Sequence, residues 1–162
     1  MPNQHGLYPF RYYLKAVIQR VTSASVAVDG ETISKIAAGI LILLGVERGD
    51  GEEDLNYLVK KTVGLRIFKD DGDNMNLSIQ DVGGEALVVS QFTLCADTSR
   101  GRRPSFIYAA SPESAGHMYQ QYCEQLKSNG VPVQTGKFGA IMDVSLVNDG
   151  PVTIILESGN TH

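Results

Sequence analysis

The sequence predicts a single mixed α/β domain in which β-sheets pack on each other and helices cover one side. A chain of 162 residues with 43% hydrophobic residues is the size of one domain, and it can bury roughly 70% of its extended surface without disulfides or metals. Segments with strand patterns outnumber the two segments with helical patterns. Because neither element type can bury its apolar face alone, we expect packed sheets under a helical layer.

The first third of the domain reads as strands. The run "KAVIQRVTSASVAVDGETISKIAAGILILLGVER", which begins at Lys15, predicts three or four of them. Asp29 and Gly30 form a typical hairpin turn, and the apolar segment at 39–46 predicts a buried strand.

A helix is predicted next, in "GDGEEDLNYLVKKTVG". Three acidic residues at 52–54 oppose the dipole of its first turn, and Gly64 is placed to end it. Its buried stripe comprises Leu55, Leu58 and Val59. The segments "LRIF" and "GEALVVSQFTLCA" then predict two further strands.

The acidic loop "DDGDNMN" suggests calcium, but its spacing argues against it. Counted from Asp71, the EF-hand pattern requires Asp or Asn at 75, Gly at 76 and Glu at 82, and the chain has Met75, Asn76 and Val82. The loop is therefore predicted to be a turn, and no metal site is expected.

The second helix is predicted to open at Ser111-Pro112-Glu113, in the order cap, proline and acid. Its apolar stripe is interpreted as core and comprises Ala115, Met118, Tyr119, Tyr122 and Leu126, with Gly130 after its end. In the last third, alternation from Ala140 to Val147 predicts a strand with one face more deeply buried. This run is interrupted by Gly150-Pro151, which a strand interior disfavours.

Composition limits the compartment and the partners. Cys95 and Cys123 match no metal or disulfide framework, and no apolar stretch reaches the 18 residues of a membrane span. We therefore expect a cytoplasmic protein without membrane contact. Residues 1–14 are expected to be an N-terminal tail and residues 15–162 the single domain. The net charge of −4 argues against nucleic-acid binding by general phosphate coating, so any such contact must be local.

The sequence shows none of the usual side-chain catalysts. His5 and His162 lie at the chain ends, and His117 lies off the apolar stripe of the second helix, where a structural or surface role is expected. HExxH, GxGxxG after a strand and GxxxxGK[ST] are all missing, and no cofactor is expected. An enzyme built from this sequence would use backbone groups and its substrate.

Two unusual stretches carry a resemblance to a known family. Ser90-Gln91-Phe92-Thr93-Leu94 and "NDGPVT" at 148–153 resemble the two signature motifs of D-aminoacyl-tRNA deacylases. The opening "KAVIQRVTSASV", the strand "GILILLGV" and "GKFGAIMDVSLVNDGPVT" are similar to that family as well. The resemblance extends from about Lys15 to Leu156, and its two motifs stand in order in a chain of matching size.

The resemblance implies a fold and an activity. The fold would have two packed, barrel-like β-sheets with a helical layer. The activity would be hydrolysis of the ester between a D-amino acid, or glycine, and the terminal adenosine of tRNA, as chiral proofreading in translation. The family's homodimers imply that Gly150-Pro151 is a cis peptide inserted into the partner subunit's site, where its carbonyls would meet the substrate amino group. Ser90, Gly150, Pro151 and Arg20 are thereby assigned to substrate binding.

The same resemblance assigns the chemistry to Gln91, Phe92 and Thr93. The backbone N–H groups of Phe92 and Thr93 would stabilise the oxyanion, and Gln91 would orient the pocket by hydrogen bonding. Thr93 has a hydroxyl but no base apparent in the sequence, so the substrate's own 2′-hydroxyl is expected to assist the attacking water.

Several alternatives stay open at this point. A related deacylase for tRNA mischarged with L-amino acids keeps similar motifs with the Gly-Pro bond in trans, and a non-catalytic tRNA- or DNA-binding module is a third reading. Arg20 could instead be an edge-strand arginine that faces water. Arg102 and Arg103, in "SRGRRPSF", could contact the acceptor stem or form a solvated loop.

Overall fold

The fold is a six-stranded, barrel-like sheet with two long helices on one side and a small two-stranded sheet. The computed structural model describes residues 13–159. The strands are β1 (Lys15–Val28), β2 (Glu31–Ile36), β3 (Gly39–Gly45), β4 (Phe68–Lys69), β5 (Met75–Leu77), β6 (Glu85–Ser90), β7 (Val133–Thr135) and β8 (Asp143–Glu157). The α-helices are α1 (Glu52–Gly64), α2 (Ile79–Val82) and α3 (Pro112–Ser128). The predicted fold class is confirmed.

The long strand β1 gives the main sheet its curvature. The sheet order is β2-β1-β3-β6-β7, with β8 paired to β1. The first half of β1 pairs with β3 and the second half with β2, while β8 runs antiparallel along both halves with register shifts around Val21. Such irregularities bend a strand and increase its twist. The sheet is therefore strongly curved, and a separate core lies against each of its two faces.

The first core lies between the sheet and the helical layer. Ala16 and Ile18 of β1 meet the buried stripes predicted for α1 and α3 there. Both predicted helices are confirmed, as α1 and α3. At the start of α3, Ser111 Oγ accepts a hydrogen bond from the backbone N–H of Ser114, and Pro112 occupies the first turn. The second core lies on the opposite face, where Val26 and Leu87 pack with partly buried residues of β8.

The predicted turns are also confirmed. Asp29 and Gly30 take φ values of +51° and +79°, which match the hairpin turn that their sequence favours. In the acidic loop, Asp70 Oδ1 accepts hydrogen bonds from the backbone N–H groups of Gly72 and Asn74 at 2.9 and 3.0 Å. The acidic loop is thus a turn closed by one of its own side chains.

Three predicted boundaries are wrong. Only Phe68 and Lys69 of the region around "LRIF" are strand, and the strand predicted over 84–96 ends at Ser90, after which Phe92–Cys95 form a 3₁₀ helix. The strand predicted from Ala140 begins at Asp143 and continues through Pro151. An edge strand tolerates proline because its outer N–H groups have no ladder partner to lose.

The start of the described chain is part of the fold. Leu14, the last residue of the expected tail, is fully buried in the first core, and its carbonyl accepts a hydrogen bond from Ser158. Residues 1–12 of that tail lie outside the described residues. Within the described part of the chain, no helix is long and apolar enough to cross a membrane.

Candidate active site

A cavity of about 1170 Å³ lies where β6 ends, between the chain after β3 and the first turns of α3. Its lining joins four segments of the chain: residues 46–50 (here called the 46–50 loop), 89–92, 106–118 and 138–144. Three of the predicted site residues, Ser90, Gln91 and Phe92, line it. The volume slightly exceeds the 300–1,000 Å³ typical of small-molecule sites, so it offers room for a nucleoside with a group attached.

The segment Ser90–Thr93 turns sharply at the cavity. The backbone N–H of Gln91 donates to the Leu44 carbonyl at 2.8 Å, which continues the sheet by one residue before the 3₁₀ helix begins. Gly45 permits this approach, because a Cβ there would lie only 2.9 Å from Leu94 Cβ. The N–H groups of Phe92 and Thr93 are the first two of the 3₁₀ helix and have no acceptor within it.

Thr93 lies at the edge of this turn and is exposed. Its Oγ accepts a hydrogen bond from Gln91 Nε2. Among the described residues, this is the one hydrogen bond found for the Thr93 hydroxyl, and it involves neither a carboxylate nor an imidazole.

Aromatic rings form two walls of the cavity. Phe92 and Phe106 meet edge to face with their ring centroids 5.1 Å apart, and Phe138 lies 5.9 Å from Tyr119. Phe138 packs beside Gly116 of α3, where an added Cβ would lie 3.4 Å from the ring, in ordinary van der Waals contact. His117, expected to be structural or superficial, is exposed and also lines the cavity.

The 46–50 loop adds two acidic residues to the cavity that were not predicted from the sequence. Glu47 is 1% exposed and pairs with Lys15 at 3.1 Å, and burial raises the pKa of its carboxyl. Asp50 Oδ2 accepts a hydrogen bond from the Glu47 N–H at 2.7 Å, and burial raises the pKa of Asp50 to about 7. The signal was present in "GVERGD", where an acid follows a buried strand directly.

Cys95 lies beneath the cavity but does not have the properties of a nucleophile. It is 1% exposed, and its Sγ donates a weak hydrogen bond to the Val46 carbonyl at 3.4 Å. Burial, with Glu47 nearby, raises the pKa of this thiol to about 12. Since the thiolate is the reactive form, Cys95 is a structural residue.

Arg20 is buried, so the reading of it as a water-facing edge arginine is wrong. It is 3% exposed, its Nε donates to the Asp149 carbonyl at 3.2 Å, and its Nη1 donates to the Ile67 carbonyl at 2.5 Å. Nε also lies 3.3 Å from Asp149 Oδ2. Arg20 thus contacts the residue directly before Gly150, in the segment that it was expected to steady.

Gly150 and Pro151 are exposed. The peptide bond between them is trans, as are all the peptide bonds within residues 13–159. The expected cis bond is therefore wrong for this structure, and with it the expected alignment of the two carbonyls. Trans is the lower-energy isomer by about 0.5 to 1 kcal/mol. Asn148 Nδ2 links this segment to β1 and spans it, since it donates to the Arg20 and Val152 carbonyls at 3.0 Å each.

The Gly-Pro segment and the cavity lie at different places on the sheet. Arg20 pairs with Ile40, which pairs with Ala86 of β6, whereas Ser90 is four residues further along β6. Four strand residues correspond to about 13 Å. Neither Gly150 nor Pro151 lines the cavity of its own chain.

Arg102 and Arg103 lie in an exposed loop outside the cavity. No carboxylate of the described residues lies within ion-pair distance of either guanidinium. Both positive charges are therefore directed to solvent.

Comparison with known proteins agrees with the resemblance. The family model described as D-Tyr-tRNA(Tyr) deacylase matches residues 17–157. The D-aminoacyl-tRNA deacylase of Desulfitobacterium hafniense is 54% identical over 90% of this chain and 97% of that protein, and that of Geotalea daltonii is 56% identical over 90% and 97%.

Solved structures show the same fold. One described as c-Myc DNA Unwinding Element Binding Protein has a TM-score of 0.84 and 45% identity, over 88% of this chain and 97% of that one. A probable eukaryotic D-amino acid tRNA deacylase, 16% identical, superposes with a TM-score of 0.74 over 89% and 98%. The family model over residues 17–157 and the relatives of 54% and 56% identity show that the chain belongs to the D-aminoacyl-tRNA deacylase family of hydrolases.

Proposed function

We propose that this protein hydrolyses the ester bond of D-aminoacyl-tRNA in the cytoplasm and releases the free D-amino acid and tRNA. The observation that carries the proposal is the aromatic-walled cavity at the end of β6, lined by the first three residues of the family motif. Glycyl esters are proposed as further substrates, and the L-esters of correctly charged tRNA as the excluded ones. Removal of D-esters before they reach the ribosome would make the activity a quality-control step of translation.

In the proposed mechanism the terminal adenosine occupies the cavity and its ester lies at the turn Ser90–Thr93. Water attacks the carbonyl carbon, and the oxyanion that forms accepts hydrogen bonds from the backbone N–H groups of Phe92 and Thr93. The ribose 2′-hydroxyl orients the water. When the ester C–O bond breaks, the proton lost by the water passes to the leaving ribose oxygen. Gln91 lines the cavity and holds the Thr93 side chain, which lies at the edge of the site and takes no part in the chemistry.

We further propose a homodimer in which Gly150 and Pro151 complete the partner subunit's site. Among the described residues β8 pairs with β1 alone, so its other edge carries unpaired backbone groups over a long strand. Val147 and Ile155 of β8 are 55% and 66% exposed. A long, exposed and partly apolar edge strand favours association with a second chain.

The central experiment measures release of amino acid from D-tyrosyl-tRNA, L-tyrosyl-tRNA and glycyl-tRNA. We expect rapid release from the D-ester and the glycyl ester, and slow release from the L-ester. Comparable rates on both tyrosyl esters would overturn the chiral part of the proposal, and release from none would overturn the catalytic part.

A second candidate, a deacylase of L-aminoacyl mischarged tRNA, is favoured by one observation. The Gly150-Pro151 bond is trans, as expected for that related group. The relatives that are 52–56% identical are nevertheless named for the D-substrate. Preference for an L-ester mischarged on a non-cognate tRNA over the D-ester would establish this candidate.

The third candidate is a nucleic-acid binding module without catalysis. The 45% identical structure described as c-Myc DNA Unwinding Element Binding Protein is the observation in its favour. Tight binding of a DNA duplex without turnover of any aminoacyl ester would support this candidate against the enzyme.

Mixed dimers can test the partner insertion. Ser114→Trp should fill the cavity from an exposed position on α3, and deletion of Gly150 should shift the register of the inserted segment and displace Pro151. Each variant alone should be inactive. Co-expressed with separate tags, the two should recover about a quarter of the parent activity, because half of the dimers are mixed and one of their two sites is intact. No recovery, with mixed dimers isolated, would contradict the insertion.

A further inference from the structure

Arg48 stands out as a cation on the cavity wall that the predicted chemistry does not use. It lines the cavity and is exposed. Its backbone N–H donates to the Tyr108 carbonyl at 2.8 Å, and its Nε donates to the Ala109 carbonyl at 3.3 Å. The Arg48 guanidinium therefore contacts the opposite wall segment through one hydrogen bond.

The charge of Arg48 is not neutralised within the described part of the chain. The two ion pairs found there join Lys15 to Glu47 and Arg20 to Asp149. Glu47, the acid next to Arg48 in sequence, has its carboxylate buried beneath the loop against Lys15. With Nε bound to Ala109, the two terminal nitrogens of Arg48 keep the fork geometry that matches two oxygens of a phosphate.

The negative net charge of the chain makes a local cation such as Arg48 important for binding a polyanion. The net charge is −4, so the protein as a whole repels a polyanion such as tRNA, and attraction must come from local cations. A nucleoside can enter the aromatic-walled cavity, whereas its 5′-phosphate cannot be buried there without a large desolvation cost. The phosphate must therefore remain where an exposed cation can reach it.

We propose that Arg48 binds the phosphate on the 5′ side of the terminal adenosine and so positions the nucleotide in the cavity. This inference rests on the proposed function for the identity of the nucleotide. Arg48 would hold the last phosphate at the site itself. Arg102 and Arg103 lie outside the cavity and could contact only more distant parts of tRNA.

The first test is equilibrium binding of adenosine and of adenosine 5′-monophosphate. Arg48→Gln removes the charge but retains an N–H that can donate to Ala109. We expect it to weaken binding of the monophosphate about tenfold and binding of adenosine less than twofold. The matched control is Arg66→Gln, since Arg66 is also exposed and hydrogen-bonded, to Asn76, but lies outside the cavity. This control should change neither affinity.

The second test uses three esters of one D-amino acid: the adenosine ester, its 5′-phosphorylated form and the full tRNA. Arg48→Gln should raise KM about tenfold for the two phosphate-bearing substrates only, with kcat unchanged, and Arg48→Lys should recover part of the loss. Substitution of Arg102 and Arg103 by Glu should weaken binding of the full tRNA substrate alone and reduce the salt dependence of that binding.

Two outcomes would overturn the proposal. Equal losses on all three esters would make Arg48 a structural residue of the cavity wall, and no loss on any would make it a plain surface residue. Failure of the proposed function is separable, because a protein that hydrolyses no ester can still show the monophosphate preference in the binding test.

Discussion

The two motif segments of this chain, Ser90–Thr93 and Asn148–Thr153, differ in how the fold uses them. The first lies at the end of a central strand, its first three residues line a large cavity, and two of its backbone N–H groups have no helical acceptor. The second lies on an edge strand, is exposed at Gly150 and Pro151, and is attached to its own chain by Arg20 and Asn148. Segments that form one family signature therefore need not form one site within a single chain. The two segments differ in their surroundings: the first borders a cavity, and the second is hydrogen-bonded to the buried Arg20.

The difference predicts that the edge segment depends on its buried support. Arg20→Met removes the donors to the Asp149 and Ile67 carbonyls, and we expect a loss of about 3 kcal/mol in the free energy of unfolding, because unsatisfied buried carbonyls are costly. Denaturant unfolding measures this loss. Arg66→Met is the matched control and should change stability by less than about 0.5 kcal/mol. Equal effects of the two substitutions would show that Arg20 contributes no more than a surface arginine.

A second test concerns the backbone of that segment. Gly150 has φ of +108°, and a Cβ there would collide with the Arg20 guanidinium. Gly150→Ala should lower stability by about 2 kcal/mol. Gly130 has φ of +80° with open space around it, so Gly130→Ala should cost about 1 kcal/mol from backbone strain alone. If the two variants melt alike, the contact with Arg20 is not a constraint on this segment.

The cavity side is expected to show its support through pH. The folded-state pKa of Asp50, about 7, lies above its ordinary value of 3.8, so the folded protein holds this proton more tightly than the unfolded chain. Stability from Asp50 should be fully present below pH 4 and be lost as pH rises towards 7, by an amount on the order of 1 to 2 kcal/mol. Asp50→Asn should remove this slope in melting curves recorded from pH 4 to pH 8.

Asp81→Asn is the matched control for Asp50. Like Asp50, Asp81 accepts a hydrogen bond from the backbone N–H three residues earlier, that of Ser78, at 2.8 Å. In Asp81, however, this bond lowers the pKa of the carboxyl. Its contribution to stability is therefore lost as pH falls, which is the opposite direction. A pH slope that survives in the Asp50→Asn variant would assign the effect to another group, with Glu47 the first to test.

The smallest effect is expected at Thr93, although it belongs to the motif beside the cavity. Thr93→Ala should keep deacylation within about tenfold of the parent, because no base within residues 13–159 contacts the hydroxyl. Single-turnover rates on a D-aminoacyl ester measure this. A loss of about a thousandfold or more would be the loss expected of an essential nucleophile.

The sequence determined the local structure of this protein. Ser111-Pro112-Glu113 opened α3, Asp29-Gly30 made the hairpin turn, and the alternation in β8 gave its inner face, because caps, turns and side-chain periods act over a few residues. The site around Ser90 was predicted from a family resemblance, and Ser90, Gln91 and Phe92 line the cavity.

Only the tertiary structure decided the rest. Arg20 reads as an isolated charge in an apolar strand, and its burial against Ile67 and Asp149 depends on partners 47 and 129 residues away. The cavity joins four segments from different parts of the chain, so the surroundings of Glu47, Arg48 and Asp50 are set by neighbours distant in sequence. Local propensity sets each element, whereas burial and electrostatic environment are set by contacts between residues distant in sequence.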